Sequence, residues 1–397
     1  MNCQQVLVNS NYKELNMPEM TKSALKALNR LKNLEGVVKE RFDPWQPSNL
    51  LRSSSPGVNS LFGRTWGFPR GYSMLLWGPA KSGKSLLSYD FAGNFHKTNP
   101  AGVVLKFDTE QRDEGQLSEE SASRFGIDLN RWVVFQGNRP EAVWDRIKKE
   151  VPALVQEGLD IGLIIVDSIS EIQGRREANN DSVNDMTIGD QALTNQIGLR
   201  SILDIQRAHK IGLILIGHAA AEMNVWRARR NPIRPAVAGG VLHHCEFWVS
   251  VEKNETKTGS QNELEEAFVD QSKKGMDDKG ETTGGKIKVW MQSSTMGCQN
   301  RVSEFTLDYQ KGIVSQFEEV FRLGIRWGVI SRPTAMTYQI GEDKFTGKPA
   351  CLKALAESRE LQQKVIDQLM KLEGTSSIPE PTSEEALSEF ETPSLDV

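Results

Sequence analysis

Cysteine is scarce and scattered in this chain. Its four cysteines, Cys3, Cys245, Cys298 and Cys351, form no C-x-x-C pair, so neither a zinc module nor a disulfide framework is expected, and a reducing compartment is. Long apolar runs are missing as well. None approaches the ~20 residues that span a bilayer, and the N-terminus has no charged-then-apolar signal pattern. The expectation is a soluble chain in the cytoplasm with no membrane partner. Net positive charge is also lacking: the formal charge is −4 over 397 residues, so any nucleic-acid binding must come from local basic patches. Apolar residues, at 38%, suffice for a large core, and the length favours that core plus smaller appendages.

Residues 78 to 85 read Gly78-Pro79-Ala80-Lys81-Ser82-Gly83-Lys84-Ser85, a full match to the phosphate-binding loop G-x-x-x-x-G-K-[ST]. The mostly apolar run Tyr72-Ser73-Met74-Leu75-Leu76-Trp77 precedes it as a strand, and Leu86 to Phe95 can open a helix whose N-terminus faces the phosphates. The motif predicts binding of a nucleoside triphosphate. Backbone N–H groups curl around the phosphates, Lys84 reaches the β- and γ-phosphates as a point charge, and the Ser85 hydroxyl ligates Mg²⁺. A chance glycine-rich turn is the alternative, and the strand-before, helix-after context argues against it.

Three further apolar runs end in polar groups. Ile161 to Val166 is continuous and delivers Asp167 and Ser168, as a fully buried parallel strand does at its carboxyl end; Asp167 is the natural Mg²⁺ partner of Ser85. Val103 to Phe107 leads to Asp108-Thr109-Glu110, where Glu110 can polarise an attacking water, or simply be a solvated loop acid. Ile211 to Gly217 delivers His218, which can touch a γ-phosphate, or be a satisfied surface or core histidine.

The first 50 residues read as an appendage: Leu25, Leu28, Leu31 and Leu34 recur among Lys22, Lys26, Arg30, Lys32 and Lys39, a basic amphipathic helix followed by a linker, Phe42 to Pro47, with two rigid prolines. Residues 51–315 form an α/β core with a parallel sheet. Two stretches interrupt it after strand ends, where ligands bind open α/β sheets. About 173–190 carries Arg175 and Arg176. About 219–240 sets Arg227, Arg229, Arg230 and Arg234 around Trp226, a pattern suited to single-stranded nucleic acid, because guanidinium groups neutralise phosphates and indole stacks on bases. A solvated charged loop is the alternative for each. Residues 253–286 read as a polar insertion in a hairpin, 316–372 as a small helical C-terminal domain, and 373–397, with seven acids and no Lys or Arg, as a disordered acidic tail.

The order of these motifs resembles the RecA family, and more narrowly the phage recombinases of the UvsX kind. The resemblance rests on Gly78 to Ser85, on Phe107-Asp108-Thr109-Glu110, on Ile165-Val166-Asp167-Ser168 and on Gly217-His218, where bacterial RecA carries Gln. Segments upstream (Ser55 to Leu61, Gly67 to Gly71) and downstream (Ala238-Gly239-Gly240, ending a second DNA-binding loop) extend it over about residues 50 to 372. It implies a RecA-like P-loop ATPase core, ATP and Mg²⁺ as cofactors, catalytic roles for Lys84, Glu110 and His218, and DNA contacts from both loops, including Gly239 and Gly240. It further implies an N-terminal arm packed on a neighbouring subunit, a helical homo-oligomer on single-stranded DNA, duplex DNA engaged during pairing, and single-strand-binding and loader proteins as possible partners.

The chain departs from the family in one respect. Where the family carries a basic pair that acts on the neighbouring subunit's nucleotide, alignment places Ser293 and Thr295, leaving Lys286, Lys288 or Arg301 as substitutes. A hexameric helicase or motor, or a nucleotide-switched accessory protein with weak hydrolysis, therefore stands beside the recombinase reading.

Overall fold

The computed structural model describes residues 26, 30, 46–112, 119–179, 189–224, 226, 229, 232–253 and 284–374. The chain divides after Asp43 into two units. Of the first, Lys26 and Arg30 are described and both are helical; the remainder of the expected basic helix and its linker as far as Trp45 lies outside the described residues.

In the second unit a short antiparallel pair, β1 (Leu50–Leu51) and β2 (Phe68–Pro69), leads into the main sheet. Its strands are β3 (Ser73–Gly78), β4 (Gly102–Asp108), β5 (Trp132–Gln136), β6 (Asp160–Asp167), β7 (Gly212–Ala221), β8 (Ile233–Pro235), β9 (Phe247–Lys253), β10 (Gly284–Ser294), β11 (Arg301–Asp308) and β12 (Gly312–Val314). From one edge the order is β12-β11-β10-β9-β3-β7-β6-β4-β5, with β8 paired to the end of β7. The strands from β5 across to β9 are parallel neighbours. Strands β10, β11 and β12 continue as an antiparallel meander, and β8 is antiparallel to β7. The expected parallel centre is present, and antiparallel strands extend it into a mixed sheet. For β10–β11 and β11–β12 connection length is the reason: residues 295–300 and 309–311 are too few for a crossover and permit only hairpins.

The helices of this unit are α1 (Pro56–Ser60), α2 (Lys84–Thr98), α3 (Glu119–Phe125), α4 (Arg146–Gln156), α5 (Asp190–Ala208), α6 (Gly239–Leu242), α7 (Gln316–Arg326), α8 (Lys348–Glu357) and α9 (Arg359–Gly374). Alternation along the buried strands divides the core into two layers. Met74, Leu76, Leu163, Ile165, Ile214 and Ile216 meet Leu87, Phe91 and Phe95 of α2 on one face. Leu75, Trp77, Ile164, Val166, Leu213 and Leu215 meet Ile147 and Val151 of α4 and Leu199 and Ile202 of α5 on the other. Because both faces are covered, these strands read as unbroken apolar runs rather than as half-polar ones.

The expected insertion is narrower than 253–286. Lys253 pairs with Ile287 and residues 284–286 pair with β11, so both ends belong to strands; residues 254–283 lie outside the described residues.

The C-terminal domain is not purely helical. Between α7 and α8 lie β13 (Ile330–Thr334), β14 (Thr337–Ile340) and β15 (Asp343–Thr346), an antiparallel meander. Tyr338 and Ile340 alternate inward from it onto Val320, Phe321, Leu355, Val365 and Leu369 of the helices. Strands of four or five residues leave too little period-2 pattern to separate from a loop. Helix α9 also outlasts the expected boundary at 372: Glu373 is buried and ion-paired with Arg301 of β11, so it belongs to the fold and not to the acidic tail. The tail beyond 374 lies outside the described residues.

Two buried acids fasten the entry segment. Ser53 and Ser54 donate to Asp90 of α2 at 2.6 and 2.5 Å. Ser55 caps α1 by accepting from the Val58 N–H at 3.0 Å and donates to Glu319 of α7, which also accepts from the Gly57 N–H at 2.9 Å.

Candidate functional site

Strand β3 lies between β7 and β9, and its last residue, Gly78, pairs with His218. A side chain at Gly78 would put its Cβ 2.1 Å from the Val251 carbonyl oxygen of β9, so the loop can leave the sheet here only as glycine. At the other end Gly83, at φ +95°, holds the left-handed conformation that starts α2. Between them Pro79, Ala80 and Lys81 are exposed and Ser82 is buried, as is Lys84 at the start of α2.

Lys84 Nζ donates to the carbonyls of Gly78 at 3.0 Å and Pro79 at 2.7 Å. Burial lowers its pKa, opposed by the charges of Asp167 and Glu110. Ser82 Oγ is buried without a hydrogen-bond partner among the described residues. A buried hydroxyl in a loop of backbone N–H groups at a helix N-terminus fits a phosphate oxygen as its acceptor.

Ser85 Oγ donates to Asp167 Oδ2 at 2.8 Å. A hydroxyl and a carboxylate oxygen this close form the hard-oxygen donor set that Mg²⁺ takes, so the pair fits that ion. Burial raises the Asp167 pKa, opposed chiefly by Lys106. Lys106 is a site residue that sequence reasoning missed. It lies fully buried on β4, with Nζ 3.4 Å from Asp167 Oδ2 and donating to the Tyr89 hydroxyl at 2.7 Å. Its signal was present: a lysine inside the run Val103–Phe107 requires a buried partner.

The carboxyl ends of β4, β6 and β7 converge beside this pair. Thr109, also missed, clamps two of them: its N–H donates to the Asp167 carbonyl at 2.9 Å, its hydroxyl to the Ser168 carbonyl at 2.7 Å, and it accepts from the Ser168 N–H at 2.8 Å. Glu110, with a side chain only 10% exposed, has Oε1 2.9 Å from His218 Nε2 and Oε2 2.7 Å from Arg112 Nη1. His218 Nε2 is also 3.3 Å from Ser168 Oγ and 3.7 Å from Glu171 Oε1. Glu110 and His218, inferred separately from two strands, therefore touch. Both carboxylate oxygens of Glu110 are engaged by one partner each, and each keeps a lone pair that can accept from a water.

The basic loops start from the same edge. Arg175 and Arg176 have exposed side chains, while their N–H groups donate to Thr194 Oγ1 and Asp190 Oδ2 of α5 at 3.0 and 2.6 Å; residues 180–188 lie outside the described residues. In the second loop β7 pairs with β8 from Ala219 to Ala221, giving the loop a two-stranded base. Trp226 is 76% exposed, with the Arg229 guanidinium 5.1 Å from its ring centroid. Arg234 is exposed on β8, and Gly239 and Gly240 open α6. Arg227 and Arg230 lie outside the described residues.

Arg301, one of the three candidate cations, is engaged within its own chain. It donates to the Ser60 carbonyl at 2.8 Å, pairs with Glu373 and lies 5.5 Å from the Trp327 ring centroid, which commits it to the junction with the C-terminal domain. Lys286 and Lys288 sit on β10 opposite Thr306 and Glu304, while Ser293 is half-buried and Thr295 exposed.

Comparison with known families agrees with this geometry. The family model of the RecA N-terminal domain matches residues 22–314. The chain belongs to the RecA family. The RecA protein of Mycoplasmopsis pulmonis is 22% identical to it over 325 residues, 82% of this chain and 86% of that protein. RecA of Streptomyces avermitilis is 23% identical over 342 residues, 86% and 81% of the two chains. RecA of Campylobacter hominis is 20% identical over 374 residues, 94% and 98%. Members of the RecA family are DNA-dependent ATPases that bind ATP with Mg²⁺. These relatives are bacterial and lend no support to the narrower phage-type resemblance.

Proposed function

We propose that this RecA-family chain is an ATP-dependent recombinase that polymerises on single-stranded DNA and promotes homologous pairing and strand exchange with a duplex. The observation that carries the reading is the course of β7. Its His218 lies beside the phosphate loop and touches Glu110, and the same strand runs on to Ala221, at the base of the Arg–Trp loop. A displacement of His218 by nucleotide is thereby passed along one strand to the residues that would hold DNA, and DNA binding acts back on the site by the same route.

In this reading Lys84 exchanges the Gly78 and Pro79 carbonyls for the β- and γ-phosphates, and Ser82 donates to a phosphate oxygen. Ser85 and Asp167 hold Mg²⁺, which when bound neutralises phosphate charge. Glu110 orients the attacking water through Oε1 once His218 turns to the γ-phosphate. Arg175, Arg176, Arg227, Arg229, Arg230 and Arg234 neutralise DNA phosphates, Trp226 stacks on a base, and Gly239 and Gly240 close the second loop. Lys286 or Lys288 from a neighbouring copy supplies the transition-state cation in a helical filament joined by the N-terminal arm. Single-strand-binding and loader proteins are the partners that such a filament implies, and His218 is the residue that favours a phage-type recombinase.

ATP turnover measured with and without single-stranded DNA, together with negative-stain imaging, tests the proposal. DNA-stimulated turnover on open helical filaments is expected. Closed rings would replace it with a motor, and no response to DNA with a nucleotide-switched accessory protein.

A further inference from the structure

Glu110, Glu171 and His218 come from three neighbouring elements: the tip of β4, the helical turn Ile169–Glu171 after β6, and β7. One ligand atom from each lies within 4.8 Å of the other two. His218 Nε2 is 2.9 Å from Glu110 Oε1 and 3.7 Å from Glu171 Oε1. Around a tetrahedral Zn²⁺ with ligands at about 2 Å, neighbouring ligand atoms lie about 3.3 Å apart; His218 stands within a few tenths of an ångström of that spacing from each carboxylate, and rotation of the Glu171 side chain closes the separation between the two carboxylates, which is at most 4.8 Å.

Charge argues the same way. Two carboxylates converge on one imidazole nitrogen, which can donate to one of them, and the second stands beyond hydrogen-bond distance. A dication satisfies all three at once. One nitrogen and two oxygens suit a borderline transition ion, in contrast to the all-oxygen Ser85–Asp167 pair that suits Mg²⁺. The scaffold is rigid: Thr109 clamps β4 to β6, and His218 is paired through its backbone to Gly78. Arg112 holds the other Glu110 oxygen and leaves Oε1 to the ion.

We propose that Glu110, Glu171 and His218 form a binding site for a divalent transition ion of the Zn²⁺ class, distinct from the Mg²⁺ pair. The ion takes the Glu110 oxygen and the His218 nitrogen out of play. With Glu110 as the water-orienting acid, which is part of the function proposed above, the ion stops hydrolysis while the nucleotide stays bound.

The test is titration of the nucleotide-free full chain with Co²⁺, read by its visible d–d absorption, and with Zn²⁺ in competition, under excess Mg²⁺. One ion per chain is expected, with affinity reduced about tenfold or more in Glu171→Gln and in His218→Asn, since even outer-sphere changes cost that much. Binding of a fluorescent ATP analogue shows that both variants are folded. Absence of binding, or equal binding in wild type and both variants, overturns the site. Zn²⁺ that binds and leaves ATP turnover intact keeps the site and removes Glu110 from the water-orienting role.

Discussion

Replacing Glu319 with glutamine isolates the cost of one buried carboxyl. Glu319 is 2% exposed at the junction of the core with α7. Its Oε2 accepts from the Ser55 hydroxyl and the Gly57 N–H, and its Oε1 is buried without a partner among the described residues. Burial is the largest influence and pushes its pKa from 4.5 up to about 8, against the lowering influence of Ser55, Gly57 and Arg322 and with Asp90 adding to the rise. The folded state therefore holds the proton more tightly than the unfolded state. The resulting stability is fully present below pH 4.5 and is lost as pH rises to about 8. Each pH unit inside that window costs about 1.4 kcal/mol, so the loss from pH 5.5 to 7.5 is about 2.5 kcal/mol. Glu319→Gln keeps an acceptor for Ser55 and Gly57 and cannot ionise. Other buried acids, such as Asp90 and Glu373, titrate in both proteins and largely cancel in the difference. Urea unfolding at the two pH values, read by tryptophan fluorescence at constant m, measures it. The variant should gain about 2.5 kcal/mol on the wild type over this interval. Parallel stability curves would show that Glu319 does not keep its proton in the folded state, and would falsify the assignment.

Three further outcomes follow from the site. Glu110→Gln should retain ATP binding and lower kcat by roughly 10²-fold or more, as for a lost general base; an unchanged kcat returns Glu110 to the status of a loop acid. Replacing Arg227, Arg229 and Arg230 with Ala should flatten the salt dependence of single-strand binding by ~0.7 in log–log slope per lost phosphate contact, with ATP binding intact; an unchanged slope places these arginines away from DNA. Truncation after Gly374 removes the acids from Glu380 to Asp396 and spares the Glu373–Arg301 pair, and it should raise duplex affinity and lower the Mg²⁺ needed for binding, because tethered carboxylates compete with phosphates for the basic loops. Superimposable duplex titrations of the two forms would leave the tail no such role.

What the sequence disclosed depended on how far each signal extended. The strands flanking the nucleotide site were legible because two covering layers make them continuous apolar runs, and the loop motif fixed their polarity. The antiparallel half of the sheet was legible as a hairpin around the polar insertion, and Lys286 to Gln292 carries the alternation of a half-buried strand; β11 and β12, which continue it, were not read from the sequence. Glu373 looked like the first acid of a tail because local composition carries no trace of Arg301, 72 residues away. The contact between Glu110 and His218 was invisible for a related reason: each was legible as the polar end of its own strand, but their meeting depends on β4 and β7 flanking β6 in the sheet.

That meeting also constrains how the site can work. At rest Glu110 Oε1 is held by His218 and Oε2 by Arg112, whose side chain is 66% exposed. Arg112 is a weak restraint, as exposed ion pairs are, whereas His218 is fixed by a strand paired with the phosphate loop. In the function proposed above, the histidine is the group whose departure leaves Oε1 wholly to water, and a γ-phosphate beside Gly78 is its competitor. Strand β7 carries His218 and, three residues on, Ala221 at the base of the Arg–Trp loop, so a movement that draws the histidine away from Glu110 falls on the strand from which that loop starts. If the proposed function holds, the acid is readied for water by the same movement that reaches the basic loop, and turnover and DNA engagement share one mechanical element.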